Sequence, residues 1–131
     1  MLPNIPSHLP ESPLYKKALE IFRLSHHISC YMADDLAPLE SNGKENPYIY
    51  FTGDIVQQSV SLAPEIVKAE TQVFSEEKHR HAASVERLTN RLYKNCERLE
   101  RSNSNGREFL QLLRNELKKF RKLQRNWMMT L

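Results

Sequence analysis

The stretch Val60–Glu70, VSLAPEIVKAE, carries helical periodicity with a proline at its centre. A proline inside a helix removes one backbone donor and clashes with the preceding turn, at a cost of about 3 kcal/mol. The pattern around it is nevertheless continuous. Ile55, Ser59, Leu62, Ile66, Ala69 and Val73 form one stripe, and Val56, Val60, Ala63 and Val67 run beside it. Two stripes cover a wider arc than one partner helix needs, so this helix is expected to be the most buried. A kink at Pro64 then bends the axis around a core. The carbonyl of Val60, deprived of its donor, is expected to meet a serine hydroxyl or water.

Working outward, the remaining chain reads as three more helices. Four prolines within MLPNIPSHLPESP make residues 1–12 an extended arm. Ser12-Pro13 supplies a cap and a first-turn proline. Leu14, Ala18, Ile21, Ser25, Ile28, Met32 and Leu36 then mark one helix face, and Pro38 ends it. Asn46-Pro47 repeats the start signal for the helix that contains Pro64. Ser75-Glu76-Glu77 opens a third helix with the stripe Val85, Leu88, Leu92, Asn95 or Cys96, and Leu99. After the turn RSNSNG, Asn105 and Glu108 resemble a capping box for a fourth, with Phe109, Leu113, Leu117, Phe120 and Trp127 inward. No segment has strand period. The expected fold is all-α, an up-down-up-down antiparallel four-helix bundle over residues 13–131, with its second helix kinked at Pro64.

LYKKALEIFRLSHHIS, from Leu14 to Ser29, resembles the opening helix of the four-helix-bundle proteins of the 23S rRNA intervening-sequence type. Their second helix carries a pattern close to Q-L-R-R-A-x-V-S-I-P-x-N-I-A-E-G. IVQQSVSLAPEIVKAE is similar to it through Val60-Ser61-Leu62, Pro64 and Ile66. It departs where the proline falls one residue late, where Glu65 replaces asparagine, and where Gln57-Gln58 replace the arginine pair. The resemblance implies a non-enzymatic bundle that assembles as a ring, commonly a homopentamer. It also implies kinship with accessory proteins of diversity-generating retroelements, which bind nucleic acid and a reverse transcriptase.

Charge is divided unevenly. Met1–Phe74 holds 5 Lys+Arg against 9 Asp+Glu, and Ser75–Leu131 holds 14 against 7. Within the basic half, Arg87, Arg91, Lys94, Arg98 and Arg101 recur at spacings of 4 and 3. Arg114, Lys118, Arg121 and Arg125 do the same on the fourth helix, with Lys119 and Lys122 alongside. A row of cations at helical spacing suits the phosphates of RNA or DNA, and a helix–turn–helix pair could join both rows into one surface. The alternative is a protein-interaction scaffold whose basic faces meet an acidic partner or a neighbouring subunit. A solvated face laced with pairs such as Glu97–Arg101 is the plainest reading.

Catalysis finds little footing. Gly43, Gly53 and Gly106 belong to no phosphate loop, and no G-x-S-x-G, H-E-x-x-H or C-x-x-C occurs. Asp34 and Asp35 are adjacent and point about 100° apart on a helix. His26, His27 and Cys30 lack the further ligands that zinc requires, and Glu76-x-x-His79 is a single copy of a motif that needs partners. No cofactor or metal is expected; the histidines read as surface groups and the thiol as buried. Gly53, after Tyr48, Tyr50 and Phe51, reads as a close-packing point beside core or interface aromatics. Neither a leader-like segment nor a membrane-spanning run is read, and Cys30 and Cys96 are expected as free thiols in a cytoplasmic protein.

Overall fold

The computed structural model describes residues 5–102 and 104–131. Among these, every regular element is helical and no strand occurs. The helices are α1 (Pro13–Leu36), α2 (Ile49–Val60), α3 (Leu62–Thr71), α4 (Ser75–Glu100) and α5 (Arg107–Met128). Helix α1 packs on α2 and α5, and α4 packs on α2, α3 and α5. The segments α2 and α3 thus act as one side of a four-sided bundle.

The helix that contains Pro64 is divided into α2 and α3. Pro64 can give no amide to Val60, and the helical run is interrupted at Ser61. The Ser61 amide turns to the Ser59 carbonyl, and its hydroxyl donates to the Gln57 carbonyl at 2.9 Å. A serine hydroxyl is therefore used, but on the carbonyl of Gln57 rather than that of Val60. The reason is geometric: once the turn opens at Ser61, its own hydroxyl is the nearest donor for the carbonyl its amide has left. Past the break, Glu65 N–H reaches Ser61 O at 3.3 Å and the helix resumes.

Burial follows the expected stripes closely. All seven positions of the α1 stripe are buried, Ser25 among them. So are Ile55, Ser59, Leu62, Ile66 and Ala69 on α2 and α3; Val85, Leu92, Asn95, Cys96 and Leu99 on α4; and Leu113, Leu117, Phe120 and Trp127 on α5. Ala82, Thr89, Leu110 and Gln124 join them. Two expectations fail at helix ends. Val73 is 85 % exposed because α3 stops at Thr71, and Phe109 is exposed on the first turn of α5. In the second stripe of the proline helix Val67 is buried, Val56 and Ala63 are half-buried, and Val60 is left in solvent.

Of the stretch expected as an extended arm, residues 1–4 lie outside the described residues. Leu9–Glu11 form a 3-10 turn, and Leu9 is buried in the core. His8 Nε2 lies 3.5 Å from Glu70 Oε2, while Trp127 Nε1 donates to Glu70 Oε1 at 2.7 Å. Glu70 thereby ties the chain start, α3 and α5 together at one end. His81 on α4 meets Glu65 on α3 at 2.9 Å. Burial opposes the charged form of Glu65, but the His81 and Lys68 contacts outweigh it and hold the carboxyl below its ordinary range.

The capping expectations are only partly met. No helix has a side-chain cap hydrogen bond on its first turn. Asn46, three residues before α2 begins, accepts the Tyr48 amide at its Oδ1. The capping box at Asn105 is absent. Ser104 Oγ instead accepts the Gly106 amide at 3.1 Å, and the Asn105 amide donates to Asp35 Oδ2 at 2.9 Å. Hydrogen bonds from Ser104 and from the Asn105 backbone hold the Asp35 carboxyl below its usual range. The close-packing glycine is Gly106, not Gly53. A Cβ on Gly106 would lie 2.9 Å from Met32 Cγ, whereas one on Gly53 would meet nothing within 4 Å.

Candidate nucleic-acid interface

The basic rows sit on the long helices α4 and α5, whose inward faces are fixed by aliphatic residues at three- and four-residue spacing. Arg87, Arg91, Lys94, Arg98 and Arg101 on α4 are exposed, as are Lys118, Lys122 and Arg125 on α5. Arg114 and Arg121 are half-buried. Of these residues, Arg114 alone makes an ion pair among the described residues, to Glu100 at 2.7 Å. That contact, followed by a hydrogen bond to Tyr93, raises the Arg114 pKa further. Lys119, beside the row, is taken by Glu116 at 3.1 Å. The i,i+4 pair Glu97–Arg101 does not form.

Members of the two rows turn to different neighbours. Arg98 turns toward α2, where its guanidinium lies 5.4 Å from the Phe51 ring centroid and donates to Asn95 Oδ1 at 2.9 Å. Asn95 in turn donates to Gln58 Oε1 at 3.0 Å. Gln58 stands at one of the positions where the resembled pattern has arginine, and here it belongs to an inter-helix polar chain. Arg114 and Arg121 turn the other way, into the groove between α4 and α5. Glu86 and Glu100 of α4 border that same groove. Two cationic edges thus flank a seam of mixed charge.

Tyr93 organises the seam. Arg121 lies 4.5 Å from its ring centroid and Arg114 lies 5.8 Å away. Arg121 Nη2 also donates to Asn90 Oδ1 at 3.0 Å. Stacking and hydrogen bonding fix guanidinium orientation, which lowers the entropy lost when an anion binds. Tyr93, Asn90 and Gln124 were not singled out by sequence reasoning. The available signal was an aromatic and two amides interleaved with arginines at helical spacing.

Groups that could do other chemistry are dispersed. No cluster of three metal-binding side chains exists among the described residues. Cys30 Sγ lies 3.9 Å from His26 Nε2 on the surface, so the thiol read as buried beside the histidines is exposed. Cys96 is buried, and burial, with Glu100 next, pushes its thiol up to about 12. Asp34 and Asp35 form no carboxylate pair. No helix among the described residues is long and apolar enough to cross a membrane.

Fold and surface together define an all-helical bundle with two cationic helix edges. No protein-family model, curated protein or solved structure matches the chain.

Proposed function

We propose that this chain is a non-catalytic nucleic-acid-binding or ribonucleoprotein accessory factor of the 23S rRNA intervening-sequence type. In this reading it is an up-down-up-down bundle, kinked at Pro64, that works in the cytoplasm. It assembles with copies of itself, a pentamer first, and contacts RNA or DNA phosphates through α4 and α5, with a reverse transcriptase as a candidate protein partner. The observation that carries the reading is the set Arg91, Lys94, Arg101, Lys118, Lys122 and Arg125, exposed and without an acidic partner among the described residues. Cations left unpaired along helix edges are available to release counterions from a phosphate backbone. Self-assembly is supported by an apolar groove of about 420 Å³ between α1 and the α2–α3 junction, bordered by Tyr15, Leu19, Phe22, Val60, Pro64 and Val67.

The test is a titration of structured RNA and duplex DNA across a salt series. If about four phosphates are neutralised, the log–log slope is roughly −3 to −4. Lys94→Glu with Lys122→Glu weakens binding to all sequences alike and leaves helicity intact. No binding at about 50 mM salt, the regime in which phosphate contacts are strongest, ends the nucleic-acid reading. If the same reversals then dissociate the oligomer, the rows serve assembly.

A further inference from the structure

Between α4 and α5, on the Asn90 side of Tyr93, lies a pocket of about 400 Å³ lined by Glu86, Asn90, Arg121, Gln124, Arg125 and Met128. This volume falls within the usual range for small-ligand sites, about 300–1,000 Å³. Its polar groups are unusually uncommitted. Gln124 is 3 % exposed, yet its amide nitrogen finds only the Met128 sulfur, at 3.7 Å, and its carbonyl oxygen has no hydrogen-bond partner among the described residues. Thioether sulfur is a weak acceptor, so whichever way the amide is turned, a weakly partnered polar end is left facing the pocket, where solvent or a ligand can reach it. Arg121 spends one donor on Asn90 and lies over the Tyr93 ring, which leaves further guanidinium donors free. Arg125, one turn on, is exposed and makes no ion pair among the described residues. Because Asn90 Oδ1 is occupied by Arg121, its amide donors remain.

Two guanidiniums beside two amides and a carboxylate suit a ligand with an anionic group at one end and a planar hydrogen-bonding edge at the other. Glu86 disfavours a bare, highly charged anion and can accept an exocyclic amino group. We infer that this pocket holds one nucleoside monophosphate unit, with Arg121 and Arg125 on the phosphate and the amides of Asn90 and Gln124, with Glu86, on the base. The unit is either a free nucleotide or one link of a single strand. The strand case rests on the nucleic-acid reading above; the free-nucleotide case does not.

The probes are adenosine monophosphate, inorganic phosphate and an unstructured oligoadenylate, titrated calorimetrically into the full chain at low salt. Gln124→Leu removes the amide while keeping the buried volume filled, and Arg125→Gln changes an exposed residue that the fold does not need. Each is expected to weaken adenosine monophosphate or oligoadenylate binding about tenfold, the effect of one lost hydrogen bond to a charged or buried group. Lys44→Gln, an exposed residue in the loop between α1 and α2, leaves adenosine monophosphate binding unchanged. Binding of the strand alone, sensitive to both variants, assigns the pocket to a link of a strand. Binding of the free nucleotide without any strand assigns it to the nucleotide, and the nucleic-acid reading fails while the pocket stands. Inorganic phosphate binding as tightly as the nucleotide overturns the base contact. Salt-dependent strand binding that ignores both variants, or no binding of either probe, overturns the pocket.

Discussion

Replacing Gly106 by alanine isolates the contact that seats α5 on α1. The added Cβ would lie 2.9 Å from Met32 Cγ and 3.1 and 3.3 Å from two carbons of the Tyr31 ring. Tyr31 is half-exposed and can swing away, but Met32 is fully buried. Overpacking of this kind costs about 1–3 kcal/mol. Gly106 also stands at the cap position of α5, where alanine is a poor substitute. Against these costs, alanine restricts the unfolded chain, a gain of about 0.4–1 kcal/mol. The net expectation is a loss of about 1–2 kcal/mol, a fall in Tm of roughly 4–8 °C for a chain of this size. Gly53→Ala is the control. It lies inside α2 with nothing within 4 Å of its Cβ, so helix propensity raises stability by about 0.5–1 kcal/mol. Urea unfolding followed by circular dichroism measures both. A Met32→Ala background makes room for the new methyl and should shrink the Gly106→Ala cost by about 1 kcal/mol. A Gly106→Ala protein as stable as its parent, or a cost unchanged in the Met32→Ala background, would refute the close approach.

Two further expectations concern titration and reactivity. Glu116 is held below its ordinary range chiefly by the Lys17 hydrogen bond at 2.8 Å, against burial and with help from Lys119. Its contribution is present above the unfolded carboxyl pKa and disappears as pH falls through the lowered folded value. Glu116→Gln should therefore cost about 0.5–1 kcal/mol at pH 7, with the difference from the parent closing in acid; a gap that persists at pH 3 denies the ion pair. Cys30 is exposed and Cys96 is buried with its thiol pushed up to about 12. A thiol reagent at pH 8 should label Cys30 quickly and Cys96 only on unfolding, and equal rates would contradict the packing of α4.

The sequence by itself determined the helical class and most of the inward stripe of each helix. Those properties are local. Apolar side chains at three- and four-residue spacing share a face whatever they pack against. Only the tertiary structure decided which surface features matter. Gly53 and Gly106 look alike in sequence, but Met32 approaches one of them from another helix. Val73 and Phe109 fit the apolar period and are exposed because their helices end or begin there. The capping box at Asn105 is lost because Asp35, from α1, takes the Asn105 amide that Glu108 would have accepted. The rows of Arg98 and Arg121 read as one kind of feature; α2 draws the first away with Phe51, and Tyr93 draws the second into the seam. Helical period places a residue on a face, but its partners come from other helices, and no spacing within one helix can name them.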